Sequence, residues 1–383
     1  MKWSYITIFD PRYYPRPLFF YKCCKLPVFY LRTFIGYLRN PSKKPNIQKY
    51  PSSGVSSNFI RDPLESIYKC QRQDNKLLID SLIFEALYAP YVKKIDSNGV
   101  IVMNPHGVFA AKGLRRKVIL DLMDLWSCED NIMYINAVDY KAMKKADYVI
   151  AWSKAIREFL RKIGVKNVVY LPLGIDLTFF DPTRYEPYLF FNKYPHVIDK
   201  FRVVYSGGLW YVNNREVLGV LKLLKAFKII ETKRRDVALL IQAPSKVVEM
   251  AKEVGVKNFI YVERTTNSND PLRLSFLRSA DILVLTGSKY PSVYLAERTT
   301  MFQYMATGRA ILAEMTLGVR GVLRHGETGY LVEIDKPESI ADAILELVKD
   351  DGLRKYIGRN ARFQLEQYYT WDKLYERAKF ILT

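Results

Sequence analysis

Short apolar runs alternate with amphipathic stretches, twice over along this chain, and that alternation leaves few folds open. In the second half, 201–205, 237–241, 259–262 and 282–285 read as strands. Between them, 215–230, 247–254 and 271–279 repeat apolar residues at helical spacing. In the first half, 3–9, 99–103, 117–120, 148–151 and 168–171 read as strands. Helices are expected there over 74–92, 110–116, 140–145 and 153–163, with Ser153 as N-cap and Gly164 as stop. Such alternation implies parallel sheets whose ligands bind beyond the carboxyl ends of the strands. A length of 383 residues is enough for two such domains. The expectation is an α/β chain of two doubly wound domains, over 1–185 and 200–360. A polar and aromatic linker at 181–199 separates them, and an amphipathic tail follows at 361–383.

One stretch, 297–332, concentrates the features of a ligand site. It opens with a short helix placing Phe302, Met305 and Ala306 on one face, stopped by Gly308. Thr299 and Thr300 stand at its start, where hydroxyls and backbone N–H groups can hold an anion. A buried strand follows at 310–313, then a loop with Gly318 and Gly321 and a Gly-x-Thr-Gly turn at 326–329. This suits a phosphate-bearing ligand. Gly207 and Gly208, after the first strand of the second domain, would let backbone N–H groups approach phosphate; a plain tight turn is the alternative. Arg215 is expected at a helix start, where a cation is unfavourable without a nearby anion. Glu297 would accept a sugar or ribose hydroxyl, or act as a first-turn acid. Asp124 lies at the ligand edge of the first sheet, beside Trp126, and His106 sits in a strand-end loop.

The net charge of +20 points to anionic partners: nucleic acid, an anionic membrane face or phosphorylated substrates. It is most concentrated in the first fifty residues, where ten Lys/Arg face one acid, Asp10, among many aromatic rings. That mixture suits a membrane interface, with single-stranded nucleic acid as a further possibility. The bland alternative is a core helix over 27–38 with solvated basic residues. The Pro, Ser and Lys of 40–57 read as a loop. Four cysteines without metal-ligand spacing suggest reduced thiols, with no zinc. No apolar run approaches the roughly 18–20 residues that span a bilayer. A cytoplasmic protein, soluble or peripheral at the membrane, is expected.

Four blocks, in order, then resemble one family. They are DLMDLW with ADYVIAWSKAIREFLRKIG, NVVYLPLGIDLTFFDP, VVYSGGLW, and FQYMATGRAIL…GVLRHGETGYLVE…SIADAILELVKD. From about residue 100 onward the chain resembles the family 4-type glycosyltransferases of the GT-B fold. The resemblance implies two Rossmann-like domains facing across a cleft, the first presenting the acceptor and the second holding a nucleotide-sugar. It also implies a terminal helix crossing back to the first domain. The implied enzyme moves a hexose-type sugar from a nucleoside-diphosphate donor to a hydroxyl of a glycan, lipid-linked or protein acceptor. Retention of configuration and no metal are expected, and no Asp-x-Asp pair is present.

Departures from the family pattern are specific. Gln303 stands where the family has a glutamate on the donor ribose, and Leu295 where it has another. The usual pyrophosphate-gripping Arg and Lys fall on Gly208 and Asn213. Arg215, Glu297 and Asp124 are therefore the catalytic candidates, and Gly207, Gly208, Thr299, Thr300 and Gln303 the donor-binding ones. His106 and Trp126 are weaker candidates on the acceptor side. A non-catalytic GT-B binder of sugar nucleotides or partners is the alternative function, and a nucleic-acid-associated protein a further one.

Overall fold

The computed structural model describes residues 1–7, 14–33, 55–60, 89, 92–93, 95–104, 107–123, 127–129, 132–134, 137–212, 214–265 and 267–383. Two compact units are present, 1–173 with 374–383, and 174–373.

The first unit runs β1 (Trp3–Thr7), α1 (Pro15–Lys22), β2 (Val28–Thr33), β3 (Val55–Ile60), β4 (Gly99–Met103), α2 (Val108–Gly113) and β5 (Lys117–Leu122). A small hairpin of β6 (Ser127–Glu129) and β7 (Ile132–Tyr134) follows. Then come α3 (Ala137–Lys145), β8 (Tyr148–Ala151), α4 (Lys154–Lys162) and β9 (Val168–Tyr170). Seven strands form one parallel sheet in the order β3-β2-β1-β4-β5-β8-β9. Its central strands are buried along their length and read as unbroken apolar runs, as a sheet covered on both faces requires.

Residues 28–33 being a strand corrects the core helix considered over 27–38. Val-Phe-Tyr-Leu-Arg-Thr is a β-branched and aromatic run whose short length suits a strand. Residues 55–57, read as loop, open β3. The helix expected over 74–92 lies outside the described residues apart from Ala89 and Val92, which are helical. Ser153 does cap α4: its Oγ accepts from Ile156 N at 3.3 Å. Ser153→Ala is expected to cost about 1 kcal/mol, read as a melting temperature lowered by about 2–4 °C.

The second unit has α5 (Tyr188–Lys193), β10 (Phe201–Ser206), β11 (Tyr211–Val212), β12 (Arg215–Glu216), α6 (Val220–Lys233), β13 (Val237–Gln242), α7 (Lys246–Val254) and β14 (Phe259–Tyr261). It continues with α8 (Pro271–Arg278), β15 (Ile282–Leu285), α9 (Pro291–Leu295), α10 (Thr299–Thr307), β16 (Ala310–Glu314), α11 (Leu317–Arg320) and β17 (Tyr330–Val332). α12 (Pro337–Lys349), α13 (Asp351–Tyr368) and α14 (Trp371–Leu382) are the last helices, and α14 from Leu374 onward, with Thr383, belongs to the first unit. The sheet is parallel, ordered β14-β13-β10-β15-β16-β17. Alternate strand residues enter different cores. Val204, Leu240 and Leu283 pack with Phe302 and Met305 of α10. Val203, Leu239 and Ile282 pack with α6, α7 and α12.

The helix expected over 215–230 is corrected. β11 and β12 pair antiparallel about a turn in which Asn214 has φ 62°, a conformation asparagine tolerates. The helix starts five residues later, at Val220, behind Gly219 at φ 87°.

Candidate active site

The strand order fixes where the second unit can hold a ligand. From β10 the chain adds β13 and β14 on one side, and later β15, β16 and β17 on the other. The connections diverge between β10 and β15, and doubly wound sheets bind ligands at the carboxyl end of that divergence. The segments there are Ser206–Gly207–Gly208 and Thr286–Gly287, with the N-terminus of α10 beside them.

α10 is anchored to this edge by Tyr304. Its buried Oη accepts from Ser206 N at 2.8 Å and donates to Ser206 O at 3.2 Å. Ser206 Oγ is bonded to Gln242 Oε1 at 3.0 Å. Thr299 and Thr300 are the first two residues of the helix. The N-cap is Arg298, whose own side chain makes no capping hydrogen bond. Met301 N donates to Arg298 O at 3.0 Å, and the positive end of the helix dipole lies at Thr299 and Thr300.

Positive charge gathers here from residues the sequence reading passed over. The guanidinium of Arg298 donates to Thr286 O. Burial pushes the Tyr205 hydroxyl up to about 12, against the opposing pull of Arg298 and Arg264. Burial raises Tyr304 as well, opposed by Arg298 and Arg273. Arg273 is pushed down to about 10 by burial, and Arg264 acts on it in the same direction. Arg298 thus acts on both tyrosines, Arg264 on Tyr205 and Arg273 on Tyr304, and none of the three makes an ion pair among the described residues. Arg264 stands in the loop after β14, and Arg298 stands between α9 and α10 in the connection from β15 to β16. That placement was the available signal.

The expected donor-side residues divide. Gly207 N–H donates to Gln242 O at 3.0 Å, so its own amide already has a partner in the chain. What requires glycine is Tyr205, whose Oη would lie 2.6 Å from a Cβ at 207 and which donates to Gly208 O. Gly208 stays at the ligand edge. Gln303 lies one turn into α10 and its Oε1 accepts from Arg273 Nη2 at 3.0 Å. A guanidinium only donates, so the amide oxygen must face it, leaving the NH2 for any further partner.

Glu297 is 3% exposed and precedes the N-cap, which corrects its reading as a first-turn acid. A Cβ on Gly321 would come within 3.2 Å of its Oε1, so α11 closes over it. Arg215 is exposed on β12, which corrects its placement at a helix start. Asp124, Trp126 and His106 lie outside the described residues.

The edge is held firmly from below. Buried Glu314 takes Lys222 Nζ at 2.8 Å, Gly287 N at 2.7 Å and Asp335 N at 2.9 Å. Lys222 also donates to Gly287 O at 2.6 Å and Asp335 Oδ1 at 2.8 Å. Burial raises the Glu314 pKa and Lys222 opposes that. Trp210 and Tyr290, from the loops after β10 and β15, meet edge to face at 5.2 Å.

Residues 200–350 match the sequence model of the glycosyl transferases group 1. The crystal structure of Anabaena Alr3699/HepE in complex with UDP superposes with TM-score 0.73 at 15% identity, covering 100% of this chain and 99% of that one. The chain has the GT-B fold. HepE has also been solved with UDP-glucose, at TM-score 0.71 and 14% identity over 100% and 99% of the two chains. By sequence, an uncharacterized glycosyltransferase of Methanocaldococcus jannaschii is 24% identical over 254 residues, covering 65% of this chain and 61% of the relative. Phosphatidyl-myo-inositol mannosyltransferase of Mycobacterium tuberculosis is 29% identical over 143 residues, 36% of each chain. The chain thus spans under two thirds of these relatives' length. Among the described residues of this GT-B chain, no helix is long and apolar enough to cross a membrane.

Proposed function

We propose that this chain is a glycosyltransferase moving a hexose-type sugar from a nucleoside diphosphate to a hydroxyl acceptor. The observation that carries the reading is the N-terminus of α10 at the divergence of the second sheet, with Arg298 as its N-cap and Arg264 and Arg273 acting on the neighbouring tyrosines. A departing diphosphate is the kind of anion such a place stabilises, by dipoles and charges fixed before reaction. The anomeric C–O bond breaks toward the phosphate, the acceptor oxygen bonds the anomeric carbon on the same face, and its proton passes to the leaving phosphate. Configuration is then retained and no separate base is required. The absence of an Asp-x-Asp pair in the sequence motivates a metal-independent reaction.

HepE bound to UDP and to UDP-glucose supports a uridine donor here. The relation to a phosphatidyl-inositol mannosyltransferase, with the basic aromatic segment 1–50, supports an acceptor at an anionic membrane surface. A thermal-shift screen against UDP-, GDP- and ADP-sugars tests the donor. The cognate donor at a hundred times its Kd should stabilise the protein by about 2.7 kcal/mol. No shift with any of them would contradict the reading.

One observation favours a second reading. Gln303 in place of a carboxylate, its amide oxygen already taken by Arg273, fits a binder of sugar nucleotides without turnover. Release of free nucleoside diphosphate during incubation with donor and membrane extract excludes it.

A further inference from the structure

A second basic site lies in the first unit, on different elements from the residues above. α4, the edge strand β9 and the end of α14 enclose an open groove of about 470 Å³. Arg157 and Arg161, one turn apart on α4, line one wall, and Arg377 of α14 lines the other. Tyr170 and the two valines of β9 form the floor, and Phe380 stands at the rim. Among the described residues, Glu158 alone pairs with these guanidiniums, at 2.8 Å from Arg157 and 3.7 Å from Arg161. Arg377 makes no ion pair among the described residues. Phe380 is 74% exposed, the highest exposure of the large apolar side chains described.

We propose that this groove is a docking surface for an anionic phospholipid membrane. The three arginines match lipid phosphate in charge. Phe380, three residues beyond Arg377 on the same face of α14, can enter the interface beneath the headgroups. A strand-like peptide is disfavoured, because Arg161 Nη2 already occupies Val168 O on the exposed edge of β9, at 3.3 Å. The inference rests on the membrane part of the function proposed above and not on the transfer reaction.

The test is flotation of the full chain with vesicles of phosphatidylglycerol and phosphatidylcholine, and with phosphatidylcholine alone. Wild type should float with the anionic vesicles only, and less as salt is raised. Each basic residue at an anionic surface is worth roughly a fivefold gain in partitioning. The variant R157Q/R161Q/R377Q should therefore bind about a hundredfold more weakly, and F380S should also bind more weakly. Both should keep the wild-type melting temperature and the wild-type thermal shift with the cognate donor, which separates this inference from the donor assignment. Binding of the triple variant equal to wild type would overturn it, placing any contact elsewhere, such as residues 1–50. So would failure to bind vesicles at all, or binding of soluble polyphosphate without vesicle binding, which would make the groove a site for soluble polyanions.

Discussion

Replacing Arg298 with alanine is expected to slow sugar transfer by about a hundred- to a thousandfold, the usual effect of removing one preorganised donor from a developing anion. Arg298 precedes the first turn of α10, so under the proposed reaction its charge and the helix N-terminus would act on the same departing diphosphate. Its hydrogen bond to Thr286 O also ties α10 to the end of β15, and losing that bond should cost only about 1 kcal/mol of stability. Steady-state kinetics beside a thermal melt separate the two effects. Arg298→Lys should recover part of the rate, since it keeps the charge but loses the forked geometry. Arg215→Ala is the control: exposed on the β11–β12 hairpin, it should change turnover by no more than about twofold. A rate for Arg298→Ala within twofold of wild type would remove the α10 terminus from the reaction.

The second large effect is on stability. Arg16 and Asp121, 1% and 0% exposed, face each other in the first unit with Nε 3.5 Å from Oδ2. Asp121 also accepts from Tyr5 Oη at 2.7 Å and Trp152 Nε1 at 2.5 Å. The Arg16 guanidinium donates to Leu171 O and lies over the Trp152 ring. Arg16→Met strands a buried carboxylate and should cost about 3–5 kcal/mol. Its pH dependence has a definite sign. Burial raises the Asp121 pKa, and Arg16 opposes that rise. Without Arg16 the folded-state pKa climbs further, so on acidification the native carboxyl takes up its proton before the unfolded one does. The variant's deficit should be greatest at neutral pH and shrink as pH falls toward the ordinary aspartate value. Denaturant melts across that range check this, and a pH-independent deficit would contradict it.

Much of the second unit was legible in the sequence. Apolar runs such as Val-Ala-Leu-Leu-Ile and Ile-Leu-Val-Leu are long enough for a two-sided buried strand and too short for a helix, and 337–349 has an unbroken amphipathic period closed by a basic last turn. The 211–216 hairpin was missed because its strands are two residues each, too short for any periodicity, although Asn213-Asn214 carried a turn signal. β2 was obscured by its basic and aromatic composition, which suits an interfacial helix as well as a strand.

For the site, the location was legible and the charges were not. Glycines at 207–208 and threonines at 299–300 mark chain ends at one sheet edge, and local rules find them. Arg264, Arg273 and Arg298 sit in three separate segments. Each alone looks like a solvated cation, and only the order β14-β13-β10-β15 brings their charges to bear on the neighbouring Tyr205 and Tyr304. Arg215 drew attention instead because a helix was expected to begin there.

Hydrogen exchange with and without UDP tests the central claim most directly. Slowed exchange of the amides at 298–301 on adding UDP, with a smaller effect at 263–265, is the result expected if a diphosphate rests on the start of α10. Protection confined to the first unit, or absent from 298–301 at saturating UDP, would contradict it.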